Sequence, residues 1–78
     1  MNSNELTIAR YRTIRDMEVN ELTIARYEEM MDRLDNRLDN LPEGDIRTFG
    51  LIDRLHRYES TILRIVGENH ALYLTLGR

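Results

Sequence analysis

The sequence predicts an all-α fold, an antiparallel helical hairpin, from three observations. Apolar residues recur three and four apart in two long stretches, Ile24 to Leu41 and Leu51 to Ile65, which lays them along one stripe of a helix. Between the stretches sits the single strong breaker cluster, Asn40-Leu41-Pro42-Glu43-Gly44-Asp45. The chain has 78 residues, room for one domain, and so short a connection returns the second helix alongside the first.

The first helix is clearest over residues about 20–40 and could begin as early as about residue 5. Its seam is Ile24, Tyr27, Met31, Leu34, Leu38 and Leu41, an a/d heptad pattern. Charged residues fill the other face, and Glu29 precedes Arg33 by four, the favourable order for an ion pair. Traced backward, the seam passes through Asn20, Met17, Thr13, Arg10 and Leu6 and becomes much poorer. This region also carries an internal repeat: Asn4–Tyr11 and Asn20–Tyr27 both read NELTIARY. An offset of sixteen residues on one helix is four turns plus roughly 160°, so the two copies face nearly opposite ways. Either the helix breaks near Met17–Asn20, or the first copy packs on something else, or the segment is a local duplication without a role of its own.

In the elbow, Pro42 disfavours helical geometry at Leu41, and Gly44 suits a turn conformation closed to other residues. Asp45 is placed to cap the second helix. That helix is predicted over residues about 46–66, with Leu51, Leu55, Tyr58, Ile62 and Ile65 as its seam. Asp53 and Arg57 form a four-apart pair on its surface, and Gly50 suggests close helix approach beside Phe49. Gly67 is a natural stop. Beyond it Leu72, Leu74 and Leu76 alternate as in a strand, while Leu72 and Leu76 also suit one face of a helix. The expected organisation is one domain: a duplicated segment over residues 1–16, a hairpin core over 17–67 and an apolar tail over 68–78.

Composition narrows the function classes. There is no cysteine, which closes disulfides and thiolate zinc sites. The net charge is −3, with acids and bases interleaved as on a solvated surface; nucleic-acid binding by this chain alone is not expected. No apolar run is long enough for a membrane span, and no leader pattern opens the chain. A soluble, cytoplasmic protein with no membrane partner is the expectation. His56 and His70 belong to no catalytic or metal motif. Asp32, Asp35 and Asp39 are interleaved with Arg33 and Arg37 and read as a charged face. Arg10, Arg12 and Arg15 form a small basic cluster flanked by Glu5 and Asp16. Ser60 and Thr61 lack a base-plus-acid arrangement. The four tyrosines read as packing residues. No enzyme activity, cofactor or metal is expected.

The stretch from Arg33 to Asn69 resembles the helical hairpin that follows the DNA-binding region in phage small terminase subunits. The matching residues are Arg33-Leu34-Asp35, Gly44-Asp45, Arg57-Tyr58-Glu59 and Ile65-Val66-Gly67. The resemblance implies assembly of hairpins into a ring that hands viral DNA to a packaging motor. No helix-turn-helix precedes the hairpin here, so only the self-assembly role carries over.

A core this small rarely supplies more than roughly 3–5 kcal/mol, and burial against other copies is the remedy left open. The expected function is therefore a self-associating helical interaction module, forming a bundle or ring. The alternative is an adaptor that docks a different protein through the N-terminal repeat or the leucine-rich tail. The residues expected at the interface are Leu6, Ile8, Tyr11, Ile14 and Met17 in the N-terminal segment, and Ile24, Tyr27, Met31, Leu34 and Leu38 on the first seam. On the second helix they are Phe49, Leu51, Leu55, Tyr58, Ile62 and Ile65, and in the tail Leu72 and Leu76.

Overall fold

The computed structural model describes residues 3–77 and contains two α-helices, α1 (Ser3–Asp39) and α2 (Arg47–Leu76), packed as an antiparallel hairpin. Both heptad seams point inward as the spacing requires. Along α1, residues Thr13, Met17, Asn20, Ile24, Tyr27, Met31, Leu34 and Leu38 are buried or half-buried, while their outward neighbours are exposed. Along α2 the same holds for Leu51, Leu55, Tyr58, Ile62, Ile65, Asn69, Leu72 and Leu76.

The elbow follows the local rules. The amides of Asn40 and Leu41 donate to the carbonyls of Arg37 and Leu38, tightening the last turn of α1, and the Asp45 amide donates to the Pro42 carbonyl. Gly44 has φ +80°, the left-handed region that costs a residue with a Cβ roughly 1–2 kcal/mol. The Asp45 carboxylate accepts from the Arg47 amide at 2.8 Å and its carbonyl accepts from Thr48 at 3.1 Å. Ile46 already has helical torsions and contributes no side-chain cap, so the capping role falls to Asp45 as the sequence indicates.

The end of α2 differs from expectation. Gly67 does not stop α2, which runs ten residues past residue 66, to Leu76. The seam explains this: Asn69, Leu72 and Leu76 continue the inward line through the glycine, and their packing outweighs the roughly 1 kcal/mol that a mid-helix glycine costs. Residues 68–76 are thus the last turns of α2, the helical alternative for this leucine-rich run. α1 takes the longer of the two extents left open by the sequence and passes through Met17–Asn20 without a break. The second helix therefore covers more of the first than its expected length would allow, reaching the level of Thr13. Residues 3–12 alone are left as an uncovered overhang, exposed on every side and roughly 15 Å long.

The hairpin is a rod of 63 × 15 × 14 Å with a radius of gyration of 18.2 Å, against about 11–12 Å for a compact domain of this length. Its interior is correspondingly thin. Among the described residues the buried hydrophobics are Leu34, Leu51 and Ile65.

Candidate functional site

One polar layer sets how the two helices sit against each other. Asn20 on α1 and Asn69 on α2 both occupy seam positions. The Asn20 Nδ2 donates to the Asn69 Oδ1 at 2.8 Å, and the Asn69 Nδ2 donates to the Met17 carbonyl at 3.3 Å. A polar pair in an otherwise apolar seam is satisfied in one register alone, which is how coiled coils specify alignment. Lower in the hairpin the rings of Tyr27 and Tyr58 meet edge to face, centroids 5.4 Å apart. A one-turn slip would separate both pairs. These two tyrosines are packing residues, whereas Tyr11 and Tyr73 are 69% and 64% exposed.

Outside the seam the molecule leaves large apolar side chains in water. Against three buried hydrophobics stand thirteen large exposed ones among the described residues. They are not scattered. On α2, Ile52, Leu63 and Val66 each follow an inward residue (Leu51, Ile62, Ile65) by one position, which is about 100° around the helix. His56 and Glu59 follow Leu55 and Tyr58 in the same way, and with Phe49 at the head this makes a second heptad stripe, exposed along its whole length. On α1, Ile8, Tyr11, Val19 and Leu22 lie nearly opposite the inward seam and are all exposed. Leu6 in the overhang and Ile14 just beyond it are exposed as well.

The total exposed surface is 6575 Å² for a chain of 9.3 kDa. A compact monomer of that mass exposes about 5,000 Å². The surplus, roughly 1,600 Å², is about twice what a standard interface takes from each partner.

Comparison with protein-family models, curated proteins and solved structures finds no match.

Charge chemistry lies on the surface. Asp53 pairs with Arg57 at 2.9 Å and Arg64 approaches Glu68 at 3.9 Å. Glu29 closes no such bridge to Arg33 among the described residues, a correction to the spacing argument; both side chains are exposed, where such a pair gains little over solvation. At the elbow, the Arg47 guanidinium holds the Asp45 carboxylate at 2.7 Å. That bond, with the Arg47 amide, lowers the Asp45 pKa from 3.8 to about 2. The same pairing raises Arg47. No group of three or more His, Asp or Glu able to hold a metal occurs among the described residues, and no helix there is long and apolar enough to cross a membrane. Gly50 is exposed with nothing within 4 Å of a built Cβ, so it serves no close helix approach in the chain, contrary to expectation.

The structure sorts the expected interface residues into two sets. Ile24, Tyr27, Met31, Leu34, Leu38, Leu51, Leu55, Tyr58, Ile62, Ile65, Leu72 and Leu76 face the partner helix of the same chain, with Met17 at the upper end of that seam. Leu6, Ile8, Tyr11, Ile14 and Phe49 are exposed and available to another molecule. Ile52, Leu63 and Val66 are absent from the expected interface residues, yet with Phe49 they line one uncovered stripe. The signal was present: the 3-4-3-4-3 spacing from Phe49 to Val66 is itself a heptad pattern.

Proposed function

We propose that this chain is a self-associating helical interaction module, whose hairpins join through the faces that each leaves uncovered to form a bundle or ring. The observation that carries the reading is the imbalance between three buried and thirteen exposed large hydrophobics, arranged in stripes. Contiguous exposed apolar surface on a soluble rod marks an interaction site, and helical hairpins bury such stripes by packing on further helices. The resemblance of Arg33–Asn69 to the hairpin of phage small terminase subunits supports the same reading and suggests a phage DNA-packaging or assembly setting.

Sedimentation velocity over a concentration series tests it. A mass of two or more chains at about 50 µM is expected, an energy within reach of a standard interface; a monomer there would remove the proposal. The uncovered overhang favours a second reading in that event. Leu6, Ile8 and Tyr11 extend past the end of α2, where an adaptor would meet a different protein.

A further inference from the structure

We infer that the second stripe of α2 is the contact through which two copies of this chain pair, antiparallel and about a two-fold axis between Arg57 and Tyr58. This deepens the self-association reading and rests on it.

The stripe runs Phe49, Ile52, His56, Glu59, Leu63 and Val66, alternating a and d positions of a heptad. Antiparallel coiled helices bring an a residue of one chain against a d residue of the other, and a two-fold axis makes every such contact occur twice. With the axis between Arg57 and Tyr58, Phe49 meets Val66 of the second copy, Ile52 meets Leu63 and His56 meets Glu59. The sequence of layers reads apolar, apolar, His–Glu, Glu–His, apolar, apolar.

Charge complementarity selects this alignment. Sliding the second copy by one heptad, so that Phe49 meets Tyr73, sets Glu59 against Leu63 and His56 against Val66. Both polar groups then enter an apolar layer unpartnered, at the desolvation cost of a buried polar side chain. In the chosen alignment each finds the other. Within the chain, neither His56 nor Glu59 takes part in any ion pair or hydrogen bond among the described residues, so nothing competes for them.

The surface to be covered fits. Phe49 is 76% exposed and Leu63 64%. The stripe lies beside the intramolecular seam, one residue further round, so the new contact continues an apolar surface that is already half packed. Two hairpins joined this way form a four-helix arrangement with α2 helices at the centre, and the roughly 1,600 Å² of surplus surface per chain exceeds the roughly 800 Å² that a standard interface removes from each partner.

A charge swap tests the pairing. Sedimentation equilibrium is run on the full chain, on His56→Glu, on the double variant His56→Glu/Glu59→His and on Leu63→Glu, with far-UV circular dichroism of each sample to establish that the hairpin is intact. The substituted side chains are all exposed in the single chain. His56→Glu sets carboxylate against carboxylate in both central layers and is expected to weaken association by at least about tenfold. The double variant restores an acid–imidazole pair in each layer and is expected to return to within about threefold of the parent. Leu63→Glu is expected to weaken association as strongly as His56→Glu. If the parent associates while His56→Glu leaves it unchanged, or the double variant fails to recover, this interface is wrong and self-association through another face stands. A parent that stays monomeric overturns both proposals together.

Discussion

The asparagine layer offers the sharpest test of the hairpin itself. Asn69→Leu removes two hydrogen bonds, the 2.8 Å bond from Asn20 and the 3.3 Å bond to the Met17 carbonyl, and turns the Asn20 amide toward an isobutyl group. Leaving a buried polar group unpaired costs about 1–3 kcal/mol. Both asparagines are half-buried, so water recovers part of this and the net loss falls near 1–1.5 kcal/mol. Asn20→Leu removes one bond and leaves Asn69 its contact with Met17, so its cost is smaller. The double variant replaces the layer with two leucines that bury apolar surface against each other, and it is expected to match or exceed the parent in stability. The coupling between the sites is then at least about 1 kcal/mol, well outside the roughly 0.5 kcal/mol scatter of independent sites. Urea denaturation followed by far-UV circular dichroism at one fixed protein concentration measures all four corners of the cycle. Additive losses, with the double variant the least stable of the four, would show that the two side chains do not meet and would refute the assigned register.

Three further outcomes follow from the elbow and the helix surface. Gly50→Ala, with nothing near the added methyl group, is expected to raise unfolding stability by about 1 kcal/mol in the same urea assay. Gly44→Ala, also in open space but at φ +80°, is expected to lower it by roughly 1–2 kcal/mol, so that two glycine substitutions a few residues apart change stability in opposite directions. Asp45→Ala should unfold at a lower midpoint than the parent. Because Arg47 lowers the Asp45 pKa in the folded state, the ionised carboxylate adds stability above its ordinary value of 3.8, and that contribution disappears as pH falls through about 2. Thermal melts from pH 7 downward should therefore show the difference between parent and variant constant at first, then shrinking below 3.8 as the carboxylate takes up its proton.

The spacing of apolar residues made the hairpin legible because a helix stripe is a local, periodic property. From Ile24 to Leu41 and from Leu51 to Ile65 every seam position is apolar, and the elbow contains the residues that a turn demands. Reading stopped where the seam turns polar. Thr13 and Asn20 weaken the line on α1; on α2, Gly67 and Asn69 interrupt it. Each asparagine looks like a break when its own helix is read alone, and each is the other's hydrogen-bond partner across the hairpin. That pairing depends on residues 49 positions apart, which no local window contains. The uncovered stripe on α2 was readable in principle, yet its central layers are His56 and Glu59, and two polar residues in a row look like a solvated face until a second copy is considered. The opposite orientation of the two repeats, by contrast, followed from the sixteen-residue offset alone.

The repeated octamer ends up with two different environments in one chain. In the second copy Asn20, Ile24 and Tyr27 are turned into the hairpin, while in the first Asn4, Ile8 and Tyr11 are exposed. An antibody raised against the free peptide and needing the isoleucine and tyrosine for recognition would find one epitope on the folded chain and two on the denatured chain. The duplication thus furnishes an internal immunological gauge of folding, in which binding stoichiometry, with no label attached, reports whether α2 is still in place.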